Sequence, residues 1–379
     1  KFAGNGETVI DAGRTLSTGF NGGTSDYGGV IAGAGNLRSF SDLTLSGDST
    51  YTGVTTVAGE QVTLTGSIAS TDIRILANAS FPASLNIAGN GDAVADTATI
   101  NNAGTLVLTG NDERVGSVFG AGNINLNDNT LTTGDGTVTA ISGVISGSGG
   151  LIKEGAGTLT VSGTNTYAGG TAINDGVLTT NNTSALGTGT VTVNGGALTL
   201  ASDLTIGALA GAGDVTLGAN RLTAGGNNAS TIYSGVISGS GDLTKQGSGE
   251  MTLTGANTYT GVTAVFDGTL TAGNADAFGT GGTLRLGGGD VDLGGFTITK
   301  NSLIAQNGTL RNGTLNMTAS GQFQNAIIDA VLSGVGGVTS AGNGTTVLSA
   351  ANTFTGAITA GRGTIDITGS TVSTTVNIT

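Results

Sequence analysis

The chain has 379 residues, among them 72 Gly, 1 Pro, no Cys and no His, and a net charge of −13. Without His or Cys it has no Ser-His-Asp triad, no thiol nucleophile, no disulfide and none of the usual zinc sites. The acidic balance disfavours nucleic acid and anionic lipid as partners, and no apolar run of about 20 residues offers a membrane-spanning helix.

Glycine at this level without a three-residue period excludes collagen. Val, Ile and Thr are too abundant for a disordered chain. The apolar residues alternate over short runs, as in Leu159-Thr160-Val161, Leu198-Thr199-Leu200 and Thr252-Leu253-Thr254. Period 2 over a few residues, bounded by Gly, Asn, Asp and Ser, predicts short strands joined by tight turns. No three-turn helical pattern with caps is present.

Taken in chain order, residues 29–64 form the first repeat block, with strand signals at Leu43-Thr44-Leu45 and an aromatic at Tyr51. Gly89-Asn90-Gly91-Asp92 follows, and Gly211-Ala212-Gly213-Asp214 lies further on. Both resemble calcium-binding Gly-Asp nonapeptides, but those bind by tandem repetition, and neither copy repeats. Residues 142–182 and 234–274 agree at 25 of 41 positions without a gap, at an offset of 92. Residues 183–233 and 275–329 keep the same Gly-Thr-Leu texture, and a fainter copy occupies 330–368.

The aromatic of each copy falls at Tyr51, Tyr167, Tyr259 and Phe354, at intervals of 116, 92 and 95. Self-similarity of this kind marks a stacked repeat architecture, in which each unit buries its apolar face against its neighbours. Four coils of about 23 residues fit the interval of 92, and the extra 24 residues of the first interval make one inserted coil. About 16 coils then fill the chain. Three strands and three turns fill such a coil, and parallel pairing must run between successive coils. The expected fold is all-β: a right-handed parallel β-helix, continuous over 1–379, its hand assigned by analogy with sheet crossovers. Leu159 and Leu253 should be equivalent core positions. Asn165, Asn257 and Asn352 should stand at bends, with Tyr167, Tyr259 and Phe354 packed over a coil edge.

The pattern G-x-G-x-L-x-K-x-G-x-G-x-L/M-T-L/V-x-G-x-N-T-Y-x-G-x-T, then x-x-D-G-x-L, resembles the passenger-associated repeat of bacterial autotransporters. It is carried by Gly147, Leu151, Lys153, Gly155, Leu159, Asn165, Thr166, Tyr167, Thr171 and Gly176, and again by Gly239, Leu243, Lys245, Gly247, Met251, Asn257, Thr258, Tyr259, Thr263 and Gly268. The fainter copies depart from it: Ser340 and Leu37 replace the Lys. The resemblance implies a right-handed β-helix on the surface of a Gram-negative bacterium, exported through its own C-terminal barrel. No series of amphipathic ten-residue strands closes the sequence, so the chain is expected to be a passenger or part of one. Neither end carries a lid-like helix or charge cluster, so bare end coils are expected.

The chemistry is sparse. Serine needs a neighbouring base, and only Lys1, Lys153, Lys245 and Lys300 offer an amine. Lys153 and Lys245 occupy the same place in two repeats, which points to solvated or ion-paired repeat features rather than a catalyst. Asp290 with Asp292, and Asp92 with Asp96, are the carboxylate pairs that glycosidase or lyase chemistry would use. The first pair should sit on one face about 7 Å apart, without an aromatic platform for a sugar. Thr-x-Thr triplets start at irregular intervals, which excludes a regular ice-binding rank. The expectation is therefore no enzyme, no cofactor and no metal. Two functions remain: an adhesive surface solenoid that binds like molecules or a host or matrix surface, and a secreted effector or toxin that binds a receptor. A head-to-tail extracellular fibre is a variant of the first.

Overall fold

The computed structural model describes residues 2–20, 22–77, 82–89, 91–373 and 375–378. Among them every regular element is a strand, most of two to five residues, and all the strand pairings are parallel. The chain divides into two compact units, Lys1–Gly189 and Thr190–Thr379. Each is a parallel β-solenoid with three ladders.

In the first unit one ladder runs through Thr15–Thr18, Asn36–Ser39, Thr55–Val57, Asp72–Ile75, Thr99–Asn102 and Ser117–Phe119, and resumes at Thr139–Ile141, Thr158–Val161 and Val177–Thr180. A second carries Ser25–Tyr27, Leu43–Leu45, Gln61–Leu64, Ser84–Ile87, Thr105–Leu108, Asn123–Asn125 and Ile145–Ser146. The third includes Glu113–Val115, Leu131–Thr133, Leu151–Lys153 and Thr171–Ile173. Alternation decides what is buried. Leu43, Val62, Leu85, Leu106, Ile124 and Ile145 stand in register on successive coils, each at most 1% exposed. Their outward neighbours, such as Thr44, Thr63 and Asn86, meet solvent. Each such aliphatic side chain contributes roughly 1.5–3 kcal/mol of burial, and in a chain without disulfides these rows hold the coils together.

The coil is shorter than the sequence suggested. In the second unit one inward register runs Leu204, Leu222, Leu243, Thr263, Leu284 and Leu303, in steps of 18 to 21 residues. Nine turns in the first unit and ten in the second give about 19, against the 16 expected. The cause is economy at the corners. Strands of three or four residues joined by turns of three or four close a triangular coil in about 20 residues, not 23.

The repeat is also not always in phase with the coil. In the second unit Leu243–Lys245 and Val338–Ser340, at equivalent repeat positions, share a ladder, so 95 residues make five coils. In the first unit Thr55 follows Tyr51 on the ladder of Leu37 and Ile73, whereas Thr171 follows Tyr167 on the ladder of Leu131 and Leu151. An interval of 116 thus turns the motif by one face.

Candidate functional site

The residues that the repeat conserves build one internal corner. Leu151 and Lys153 both point inward from Leu151–Lys153, and Lys153 is 1% exposed. Its Nζ donates to the carbonyls of Glu154 and Gly155, each at 2.6 Å, and of Asp175 at 3.3 Å. Lys245 repeats this on Gln246 (2.9 Å), Gly247 (2.6 Å) and Asp267 (3.2 Å). The expectation of solvated or ion-paired lysines is therefore corrected. The repeat turns leave main-chain oxygens facing inward, and a buried carbonyl needs a donor. The long side chain supplies one that ties its own turn to the turn one coil on. Desolvation lowers both ammonium pKa values, opposed by attraction to Asp175 and Asp135 for Lys153 and to Asp267 for Lys245.

The Asp-Gly turns that receive these lysines are fixed by their own chemistry. The Asp175 carboxylate accepts from Gly176 N at 2.7 Å, and that of Asp267 from Gly268 N at 2.8 Å. Gly176 has φ +65°, and a Cβ there would lie 2.4 Å from the carbonyl oxygens of Gly155 and Gly157. The equivalent position in the first copy is Glu60, which keeps a positive φ of 40°.

The asparagines at the bends take the place of a ladder pair. Asn165 Oδ1 accepts from Ile145 N at 2.7 Å, and its Nδ2 donates to Ala185 O at 2.5 Å. Asn257 does the same with Ile237 N (2.7 Å) and Ala277 O (2.6 Å). Asn352 accepts from Leu332 N at 2.8 Å but donates to Ala350 O, within its own turn. One amide side chain thus satisfies main-chain groups on the coils before and after it.

The rings Tyr167, Tyr259 and Phe354 are fully buried, inside the coil rather than over its edge. Tyr51, Tyr167 and Tyr259 bond the hydroxyls of Thr55, Thr171 and Thr263 at 2.6, 2.5 and 2.7 Å. Burial pushes these phenols above their ordinary pKa. Where Phe354 has no hydroxyl, the residue four further on is Ile358. The Tyr-x-x-x-Thr spacing, present three times, was the sequence signal for this pair and passed unread. Leu159 and Leu253 are buried on strands of equivalent repeat position.

The carboxylate pairs are held in structural roles. Asp290 and Asp292 share a face with Arg311 between them, at 3.7 and 3.1 Å. Desolvation would raise the Asp292 pKa, but hydrogen bonds from Gly294 N, Asn312 and Arg311 hold it below the usual range. Asp96 pairs with Arg114 at 3.7 Å, and burial with Asp96 nearby raises Asp92. Sequence reasoning missed Glu113 beside them. It is 2% exposed, caps Val94 N at 2.9 Å, and burial raises its pKa to about 7 against that hydrogen bond. Lys300 is fully buried, bonds Phe278 O at 2.8 Å, and desolvation lowers it to about 8. Among the described residues no cluster of Asp and Glu has the arrangement of a metal site. Lys1 and Asn90 lie outside the described residues.

The passenger-associated transport repeat matches at 41–59, 151–180, 243–272 and 338–367, the segments that build these corners. The adhesin BmaC autotransporter of Brucella suis is 32% identical over 378 residues, which takes in 82% of this chain. The chain belongs to the autotransporter passengers. This passenger segment spans 11% of the length of that curated relative. No solved structure matches it significantly. As passenger sequence it lies outside the cell, at the bacterial surface.

Proposed function

We propose that the segment is a non-enzymatic, adhesive part of the passenger, displayed on the cell surface to hold a host or matrix surface. The observation that carries this reading is the similarity to an adhesin across most of the chain, on a scaffold whose buried polar groups are engaged in coil-to-coil contacts. Arg311 occupies the carboxylate pair best placed for hydrolysis, which supports a role without turnover. Homotypic contact is the second partner of an adhesive solenoid. Beads coated with the purified segment should attach to epithelial cells or to immobilised matrix proteins above a β-solenoid control. Sedimentation of the same protein over a concentration series reports homotypic contact. Beads that attach to neither surface would overturn the adhesive reading.

A further inference from the structure

The ladder that carries Ser117–Phe119 in the first unit is almost broken at its next step. Thr99–Asn101 pair with Ser117–Phe119 over three residues, and Thr139–Ile141 pair with Leu159–Val161 over three. Between these steps only the bridge Gly120↔Ile141 remains. The link Gly134–Val138 leaves the ladder before that bridge, and an open groove of about 650 Å³ results. Phe119 lines it, Val138 stands on its rim at 80% exposure, and six Ser and Thr hydroxyls, including Ser117 and Thr139, complete it. No charged side chain lines it, although the chain carries a net charge of −13.

The second unit contains the same ladder defect and closes it. There Gly211↔Tyr233 is the sole pair between Ala208–Gly211 and Thr231–Tyr233. The corresponding link, Gly225–Ser230, is one residue longer. Asn227 Nδ2 crosses to Thr190 Oγ1 at 3.1 Å, and Thr190 is the counterpart of the groove residue Thr99. Ala210 stands where Phe119 stands. The first unit thus has a shorter link, an open groove and an aromatic ring in it, at a place where its own internal copy is bridged and ringless.

We propose that this groove, lined by Phe119, Val138, Ser117 and Thr139, binds a neutral saccharide. The proposal rests on the adhesive reading and names a ligand class for it. Side-chain hydroxyls both donate and accept, as sugar hydroxyls do. An aromatic face carries negative charge density, which suits the C–H groups on one face of a hexose. The volume lies within the roughly 300–1,000 Å³ of small-molecule sites, enough for a short oligosaccharide. The lack of charge in the lining selects against sulfated or acidic sugars. An added β-strand does not fit, because Gly120 N donates to Ala140 O and Ser142 N to Gly120 O, both at 2.9 Å, and so clamp the two coils at ladder spacing at one end of the groove.

The test uses the whole chain, with maltotriose and triacetylchitotriose as neutral probes, a sulfated disaccharide as charged control and an unstructured peptide as polymer control, titrated by calorimetry and NMR. One neutral probe should bind at millimolar concentration or better. Phe119→Ala should weaken it at least tenfold and Phe119→Tyr should restore it. Val138→Glu, at an exposed rim where folding is not at stake, should weaken it severalfold. Replacing Gly134–Val138 by the six residues of Gly225–Ser230 should abolish it, with the circular dichroism and melting curve retained. No neutral binding, binding indifferent to these changes, or binding of the sulfated or peptide probe alone would each overturn the proposal. Coated beads separate the two readings. Attachment that survives groove closure sinks the groove and leaves adhesion standing, whereas saccharide binding without cell attachment sinks adhesion and leaves the groove.

Discussion

The Lys245 ammonium reaches the carbonyl oxygen of Asp267 at 3.2 Å, 22 residues further along the chain and one coil away. Lys153 and Asp175 repeat the relationship at the same separation. The two partners vanish together elsewhere. Where Ser340 replaces the Lys, Arg362 replaces the Asp, and where Leu37 replaces it, Gly59 does. The lysine is a staple between successive turns, and it is used only where the next turn presents its carbonyl.

Lys245→Met keeps the stem and removes the donor from three carbonyls. Leaving buried acceptors without partners costs about 1–3 kcal/mol, so the denaturant midpoint should fall by a corresponding amount. An unchanged midpoint would mean that water replaces the ammonium at no cost.

Asn257→Asp tests the bend. The carboxylate can still accept from Ile237 N, but it faces the Ala277 carbonyl without a proton to donate. We expect a loss of about 2–4 kcal/mol at neutral pH for this buried, mismatched charge, with partial recovery in acid as the carboxyl regains a proton. Thermal melts at pH 4 and pH 7.5 report the difference.

The Tyr–Thr pair has a natural control in Phe354 and Ile358. Tyr167→Phe alone strands the Thr171 hydroxyl in the interior and should cost about 1–2 kcal/mol. Adding Thr171→Ile should recover most of that loss. A double-mutant cycle with no coupling between positions 167 and 171 would show that the hydrogen bond contributes nothing.

Leu159→Ala and Leu253→Ala each empty a place in an aliphatic row and should each cost about 2–5 kcal/mol. Urea titration of each variant measures it, and a melt indistinguishable from the parent would place that leucine outside the core.

The two units should respond to pH in opposite directions. Glu113 in the first has a folded pKa near 7, raised from 4.5, so its folded state favours the protonated form. Its contribution is full below about pH 4.5 and is lost as pH rises through 7. Lys300 in the second is lowered from 10.5 to about 8, so folding disfavours its charged form. The unfolded chain holds that proton up to about 10.5, and stability therefore rises between pH 8 and 10.5, on the order of 3 kcal/mol at most. Hydrogen exchange of each unit across pH 4–10 should show both slopes. Glu113→Gln should flatten the first and Lys300→Met the second.

The sequence by itself determined the class of fold. Period-2 runs such as Leu159-Thr160-Val161, broken by glycine, allow little besides short strands, and a 41-residue repeat without helical pattern forces them to stack. It also marked the residues that matter, since Lys153, Asn165, Tyr167 and their later copies recur at fixed spacing. Their roles were decided by the tertiary structure. Whether a lysine faces solvent or a carbonyl cage depends on which way the strand end points and on the turn one coil above, and those partners lie about 20 residues away with no local signature. The coil length is a further case: an interval of 92 fixes a product of coil number and coil size, and only the ladder register separates the two. The groove beside Phe119 is legible in neither composition nor motif. It arises because one link is a single residue shorter than its internal copy, and a difference that small becomes a cavity only when the coils on either side are held at a fixed spacing.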